Sequence, residues 1–181
     1  MRQLDTTALR LHIKSLGVNQ NFQRRLSLAG IEGMTDKDWE MRELLVIPTK
    51  DGGAGVLFVE LDDQLYGVSY EISNVRDTAT GRSQPIICDF CKTWQAGGRA
   101  GSITFRMERR SLNSISFLCC LDLKCSLHVR NMTAAAKSSR VQLREDVSLE
   151  RRIERLEENL LILVKRLNLK PSSGVTEVMG K

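Results

Sequence analysis

The sequence predicts an α+β chain in which a small N-terminal region of helix and hairpin precedes a cysteine-bearing antiparallel hairpin and a C-terminal helix. Three observations predict it. Apolar residues alternate with polar ones in two pairs of short runs, as strands half-buried in a sheet require. All five cysteines fall between Cys88 and Cys125. Leucine and isoleucine then recur at three- and four-residue steps from Leu149 to Leu167, the period of a helix with one apolar face. A chain of 181 residues with 41% hydrophobic content holds enough apolar surface for one domain or two small ones.

The first helix is expected from Asp5 to Leu16. Asp5 or Thr6 can cap it, Leu9, Ile13 and Leu16 share a face, and Gly17 stops it. His12 lies on that apolar face, where a lone histidine packs through a hydrogen bond more often than it binds a ligand. From Asn19 to Trp39 the pattern is irregular, with a helix start at Thr35 or Asp36 and Trp39 as a core anchor. Gly55–Leu61 and Leu65–Ile72 read as strands joined by Asp62, Asp63 and Gln64. The glycines Gly52, Gly53 and Gly55 lead into a strand and lack a following Lys-Ser or Lys-Thr pair, so they do not make a phosphate-cradling loop.

Ser73–Gln84 is rich in Ser, Asn, Asp, Thr and Gly and reads as a linker, which puts a boundary near residue 80. Residues 1–80 then form an N-terminal α/β region, 81–170 the cysteine-bearing domain with its helix, and 171–181 a loose tail beginning at Pro171. Within the second region, Ser102–Glu108 and Ser114–Cys120 form a hairpin turning at Ser111–Asn113. Ser126–Arg130 can start a helix, and Met132–Ser139 either continues one or connects flexibly. The last helix runs from about Ser148 to Leu167, with Ser148 as cap, Glu150 in the first turn, and Lys165 and Arg166 near the end. Its length favours packing on the body of the protein over a coiled coil.

The cysteines carry the chemistry. Cys88-Asp89-Phe90-Cys91 places two thiols in one tight turn, and Cys119, Cys120 and Cys125 follow about thirty residues later. Four thiolates at tetrahedral angles suit Zn2+, and a two-residue spacer lets the first pair reach one ion. Cys88, Cys91, Cys120 and Cys125 are therefore the expected ligands of one structural zinc. Alternatives stay open: Cys119 could replace Cys120, His128 could be the fourth ligand, and two pairs of buried cysteines could be simple small apolar residues. A thioredoxin-like redox pair is disfavoured because no helix starts after Cys91. A site closed by four thiolates leaves no coordination position for water, and with only His12 and His128 no nucleophile–base pair stands at a recognisable spacing, so no enzyme is expected. A turn, a hairpin and a helix whose first residue supplies the last ligand is the layout of a treble clef.

The formal net charge of +5 is concentrated in this region. Lys92, Arg99, Arg106, Arg109, Arg110, Lys124 and Arg130 face only Glu108 and Asp122. With Trp94, Phe105 and Phe117 nearby, a ribosomal RNA surface or an acidic protein face is the expected kind of target, and Arg106, Arg109, Arg110, Lys124 and Arg130 are the candidate contacts, with His128 as a packing or contact residue. No apolar run approaches the roughly 18–20 residues of a membrane span, and Met1–Gly17 is interrupted by Asp5, Arg10, His12 and Lys14, so a cytoplasmic protein is expected.

The segment Cys120-Leu121-Asp122-Leu123-Lys124-Cys125-Ser126-Leu127-His128-Val129-Arg130 resembles the Cys-x-Asp-Leu-x-Cys-Ser-Leu-x-Val-Arg stretch of the FusB-type elongation factor G-binding proteins, in the short actinobacterial form that ends in a treble-clef zinc finger. The resemblance extends through Cys88–Cys91 and Glu108-Arg109-Arg110, more loosely through Arg25–Leu28, Asp38-Trp39 and the hairpin Glu60–Val68, and on to the helix Ser148–Leu167. The sequence departs from the family pattern in a shorter turn between Arg110 and Phe117 and in the doubled Cys119-Cys120. The resemblance implies a protein that binds elongation factor G and helps it leave the ribosome, a role that in resistance-type members rescues translation stalled by fusidic acid. It also implies Cys88, Cys91, Cys120 and Cys125 as metal ligands and Arg109, Arg110 and Arg130 as contact residues.

Overall fold

A computed structural model describes residues 1–76, 80–106, 113–143 and 146–172, with backbone alone for 140–143. Its elements fall into two compact units, Met1–Ser69 with the segment from Leu169, and Tyr70–Asn168.

The first unit begins with α1 (Thr6–Ser15), whose cap Asp5 accepts the Ala8 N–H at 2.6 Å and whose inward residues Leu9 and Ile13 are buried. Helix α2 (Gln20–Arg25) lies in the stretch that sequence pattern left irregular. One side chain starts it: Asn19 accepts the Phe22 N–H at 2.7 Å. Helix α3 (Asp36–Glu40) carries a reciprocal capping box between Thr35 and Asp38. Trp39, on α3, is 3% exposed and belongs to the core cluster with Leu9, Ile13, Leu45, Ile47 and Phe58. Strand β1 (Leu44–Pro48) pairs antiparallel with β2 (Ala54–Leu61), from Leu44 opposite Val59 to Pro48 opposite Gly55.

Strand β3 (Gln64–Asn74) follows β2 after Asp62 and Asp63, both in the left-handed region at φ 49° and 59°. A two-residue turn with both central φ values positive matches the right-handed twist of the paired strands. Gly67 on β3 is required by packing: a Cβ there would meet Phe58 Cε1 at 2.7 Å. The segment beyond Leu169 returns to this unit, where the Ser172 N–H donates to the Leu65 carbonyl at 2.7 Å and Pro171 bridges Tyr66. The rest of the expected tail, residues 173–181, lies outside the described residues.

In the second unit β3 continues past the expected end at Ile72, and Tyr70–Asn74 pair with the segment Phe105–Gly101. The stretch expected as a linker is attached there, for the Val75 N–H donates to the Ala100 carbonyl at 3.0 Å and Arg76 bridges Ser83. Next come the two-residue strands β4 (Ile86–Ile87) and β5 (Trp94–Gln95), which pair with each other, and a 3-10 turn at Gly97–Arg99. Strand β6 (Ala100–Arg106) then pairs antiparallel with β7 (Ser114–Cys120), from Ala100 opposite Cys120 to Arg106 opposite Ser114. The hairpin is as the alternation predicts, although its expected turn lies outside the described residues.

Three helices follow: α4 (Cys125–Val129), α5 (Ala134–Leu143) and α6 (Leu149–Arg166). Helix α6 buries Leu156, Leu160, Leu163 and Val164, and its solvent side carries Arg151 paired with Glu154 and Glu158. Its Arg166 reaches the hairpin, with the guanidinium 5.7 Å from the centre of the Phe117 ring, which sits 5.6 Å from Phe90 and 6.1 Å from Phe105. Asn159 fixes the cysteine turn from the same helix, donating to the Phe90 carbonyl at 2.8 Å.

Candidate metal centre

Two backbone devices bring the cysteines together. Cys88 and Cys91 flank a turn in which the Lys92 N–H donates to the Cys88 carbonyl at 2.9 Å and Lys92 takes φ 55°. The Cys88 N–H then closes the turn on the Thr93 carbonyl at 3.0 Å. This turn is locked to β7 on both sides of Asp89, whose N–H donates to the Leu118 carbonyl and whose carboxylate accepts the Leu118 N–H, each at 2.8 Å.

The second device joins β7 to α4. Cys120 ends the strand, the Leu123 N–H donates back to the Cys120 carbonyl at 2.9 Å with Leu123 at φ 49°, and Cys125 opens the helix. Close approach is needed here, since a Cβ on Gly101 would lie 3.1 Å from Leu121 Cα.

The four sulfurs of Cys88, Cys91, Cys120 and Cys125 all lie within 4.8 Å of one another, and each residue is buried. Cys88 and Cys125 are 3.8 Å apart and Cys91 and Cys120 3.5 Å, too far for disulfides. A Zn–S bond of about 2.3 Å in a tetrahedron sets a sulfur–sulfur edge of about 3.8 Å. The cavity between the sulfurs therefore has the dimensions of a zinc ion's thiolate shell.

Electrostatics support the same assignment. With no cation between them the four thiols cannot all ionise. Burial works against the Cys91 thiolate, but hydrogen bonds from Cys120, Cys125, Cys88 and His128 outweigh it and hold that thiol well below its ordinary value. Hydrogen bonding to Cys120, Cys88 and Cys91 drives Cys125 up instead. A divalent cation at the centre favours the ionised form of every ligand thiol. The chain binds one structural zinc through this cluster.

Cys119 stands outside it. Strand alternation turns its side chain away from that of Cys120, and burial, followed by the negative charges of Cys88 and Cys91, raises its thiol. It packs as a small apolar residue, 0% exposed.

A second layer of donors converges on Cys120. His128 Nδ1 lies 3.1 Å from its sulfur, and Gln95 Nε2 donates to the same sulfur at 3.3 Å. On its other side His128 Nε2 lies 3.5 Å from Asp122 Oδ2, while Asp122 Oδ1 accepts the Lys124 N–H at 3.2 Å. Burial disfavours the charged imidazole, but hydrogen bonds to Asp122 and Cys91 prevail and push His128 up to about 9. A protonated ring can donate to a thiolate and a carboxylate at once, which orients the ligand and offsets the negative charge of the centre. His128 is thus a partner of the ligands, and the four cysteines complete the tetrahedron without it.

The expected contact residues are placed less uniformly. His128, expected as a packing or contact residue, is 2% exposed, with its ring nitrogens facing Cys120 and Asp122. Arg106 is exposed and paired with Glu71 at 3.0 Å, and Lys124 is exposed at the start of α4. Arg130 is half-buried and donates to the Ser126 carbonyl at 2.9 Å. Arg109 and Arg110 lie outside the described residues. Phe105 is buried, and Phe117 is half-buried with its ring against Phe90, Phe105 and the Arg166 guanidinium. Sequence reasoning missed Gln95 altogether; its role depends on β5 lying beside the end of β7, and nothing local marks it.

The family model of the FBP C-terminal treble-clef zinc-finger matches residues 17–167. The chain belongs to this FusB-type family. The family match covers both the zinc centre and most of the first unit, and leaves α1 before it. No curated protein and no solved structure matches the chain.

Proposed function

We propose that this family member binds translation elongation factor G through its zinc-held second unit and promotes release of the factor from the ribosome. The family match across 17–167, with its four-thiolate centre formed by side chains of this chain, is the observation that carries the reading. The zinc acts by shape. It fastens the Cys88–Cys91 turn, the end of β7 and the start of α4 into one rigid piece, so a surface made of these elements is ordered before a partner arrives and loses little entropy on binding.

Exposed Lys124 and Arg99 put positive charge on that unit, suited to an acidic face of the factor, and Arg106 joins the contact set beside its Glu71 partner. Lys124 is the contact best held, since it precedes the metal-bound Cys125 directly. Arg109, Arg110 and Arg130 complete the proposed contact set. The protein works by binding, without a catalytic centre, and in the cytoplasm; among the described residues no helix is long and apolar enough to cross a membrane.

Calorimetry with purified elongation factor G, alone and on ribosomes, tests this. A stoichiometric complex that weakens when Lys124 is changed to Glu is the expected result. Absence of binding in both settings overturns it. Association with ribosomal RNA instead, falling steeply with salt as released counterions demand, would assign the unit to nucleic acid.

A further inference from the structure

The first unit carries an open groove of about 270 Å³ between α1 and the segment from α2 to Leu28. Leu11, Ile13, Leu26 and Leu28 line it, and Arg10 and Lys14 stand at its rim. Leu11 is 46% exposed, a large apolar side chain left on the surface. Gln23 closes the far wall and is held there by its own donation to the Val18 carbonyl at 2.7 Å.

The charges make the groove selective. Arg10 and Lys14 are one turn apart on the same helix face, an arrangement of like charges that weakens an isolated helix. Two other arginines of this unit carry carboxylate partners, Arg2 with Glu60 and Arg25 with Asp51. Neither Arg10 nor Lys14 has a carboxylate partner among the described residues. Two unpaired cations therefore flank an apolar trough.

We infer that this groove docks an acidic, apolar-anchored helical segment of a protein partner, with leucine-like side chains in the trough and carboxylates on Arg10 and Lys14. The volume lies below the roughly 300–1,000 Å³ of pockets that enclose small molecules, and suits a few anchoring side chains of a larger ligand. A nucleic acid fits less well, because the lining contains no aromatic ring on which a base could stack. Helix α1 precedes the residues matched by the family model, so the groove is built partly outside the region that defines the family, and all its lining residues belong to the first unit.

The test uses the full chain and a fluorescein-labelled helical peptide with leucines at i, i+3, i+4 and i+7 and glutamates on the flanks, read by anisotropy. Saturable binding is expected, weakened about tenfold or more by the double substitution Arg10→Glu and Lys14→Glu, with no binding of a matched peptide whose glutamates are lysines. Should the double variant melt early by Trp39 fluorescence, Arg10→Gln with Lys14→Gln and the peptide swap carry the comparison. Equal affinity of all forms overturns the inference, as does failure of the acidic peptide to bind. Binding of dodecanoate or poly-uridine in place of the peptide, or self-association abolished by Leu11→Glu, overturns it too. Because the probe is a peptide, these outcomes are independent of whether elongation factor G binds the zinc-held unit.

Discussion

The two units of this chain solve the same problem by different means. The first closes on an apolar cluster in which Leu9, Trp39, Ile47, Val56 and Phe58 are all almost fully buried. The second also has an apolar layer beneath α6, yet its most irregular part, with two strands of two residues and a helix of five, gathers around four sulfurs with only a few buried apolar side chains such as Phe90 and Val129. Short elements of that kind cannot be stable by their own hydrogen bonds. What an apolar core does for the first unit, a metal does for this one, and that division makes their responses separable.

The largest expected effect is removal of the metal. Chelation, or Cys125→Ser, leaves mutually repelling thiolates or an incomplete shell, and the second unit should lose its fixed structure, since apparent zinc-binding energies of small thiolate domains are about 10–16 kcal/mol. The first unit should persist. Each unit holds one of the two tryptophans, Trp39 and Trp94, so Trp94→Phe and Trp39→Phe variants report on them separately. Loss of the Trp94 signal with retention of Trp39 is the expected outcome; simultaneous loss would show that the units are not independent, and loss of neither would remove the zinc from the fold.

The reverse experiment is Phe58→Ala. Phe58 is 0% exposed at the centre of the first cluster, and truncation there should cost about 3–5 kcal/mol through lost contacts and a cavity. Gly67→Ala presses a methyl group on the same ring and should act in the same direction. Thermal melts followed through Trp39 should shift down for both, while zinc content measured by elemental analysis stays at one per chain.

The cysteine spacing and the family-like segment made the zinc ligands legible in sequence, because the first pair and its turn are local. The long helix was equally legible, since α6 keeps one apolar face over five turns. Helix α2 was not: it is one turn and a half started by Asn19, too short to show a period. Strand β1 ends in Pro48 and reads as a short apolar run without alternation, and β4 and β5 are too short to alternate at all. The donors around the zinc divide in the same way. His128 stood out because it shares a short helix with Cys125, whereas Gln95 comes from a different element and acquires its role only when β5 is placed beside Cys120.

Those donors give a smaller test that sharpens the contrast. His128→Ala removes the donor 3.1 Å from Cys120 and leaves Asp122 without its ring partner. Zinc affinity should fall about 10- to 100-fold, the usual effect of losing an outer partner of a ligand, while the zinc-loaded form stays folded. Competition with a chromophoric chelator reads the affinity, and the thiolate-to-cobalt absorption of the Co2+ form reads whether four sulfurs still coordinate. Gln95→Leu should show a weaker effect in the same direction. An unchanged affinity in both variants would mean that the four cysteines alone set the strength of the site.

The smallest effect concerns acid, and it distinguishes the units by cause. In the second unit acid protonates thiolates and displaces the metal. The first unit has a single histidine, His12, whose Nδ1 is 2.9 Å from the Ser172 hydroxyl and whose ring meets Phe58 edge-on at 6.3 Å. Burial, assisted by the nearby Arg2 guanidinium, lowers its pKa below the ordinary 6.5. The folded unit therefore resists a proton that the unfolded chain accepts. Its contribution is fully present above pH 6.5 and is lost as pH falls through the folded value, so stability should decline on the acid side of neutrality. Because the ring is only partly buried the change should be modest, a small drop in the Trp39 melting temperature between pH 7.5 and 5.5. His12→Gln should remove most of that drop while keeping a polar atom toward Ser172. If the variant and the parent decline together, the acid response of the first unit comes from its carboxylates, and His12 is a packing residue alone.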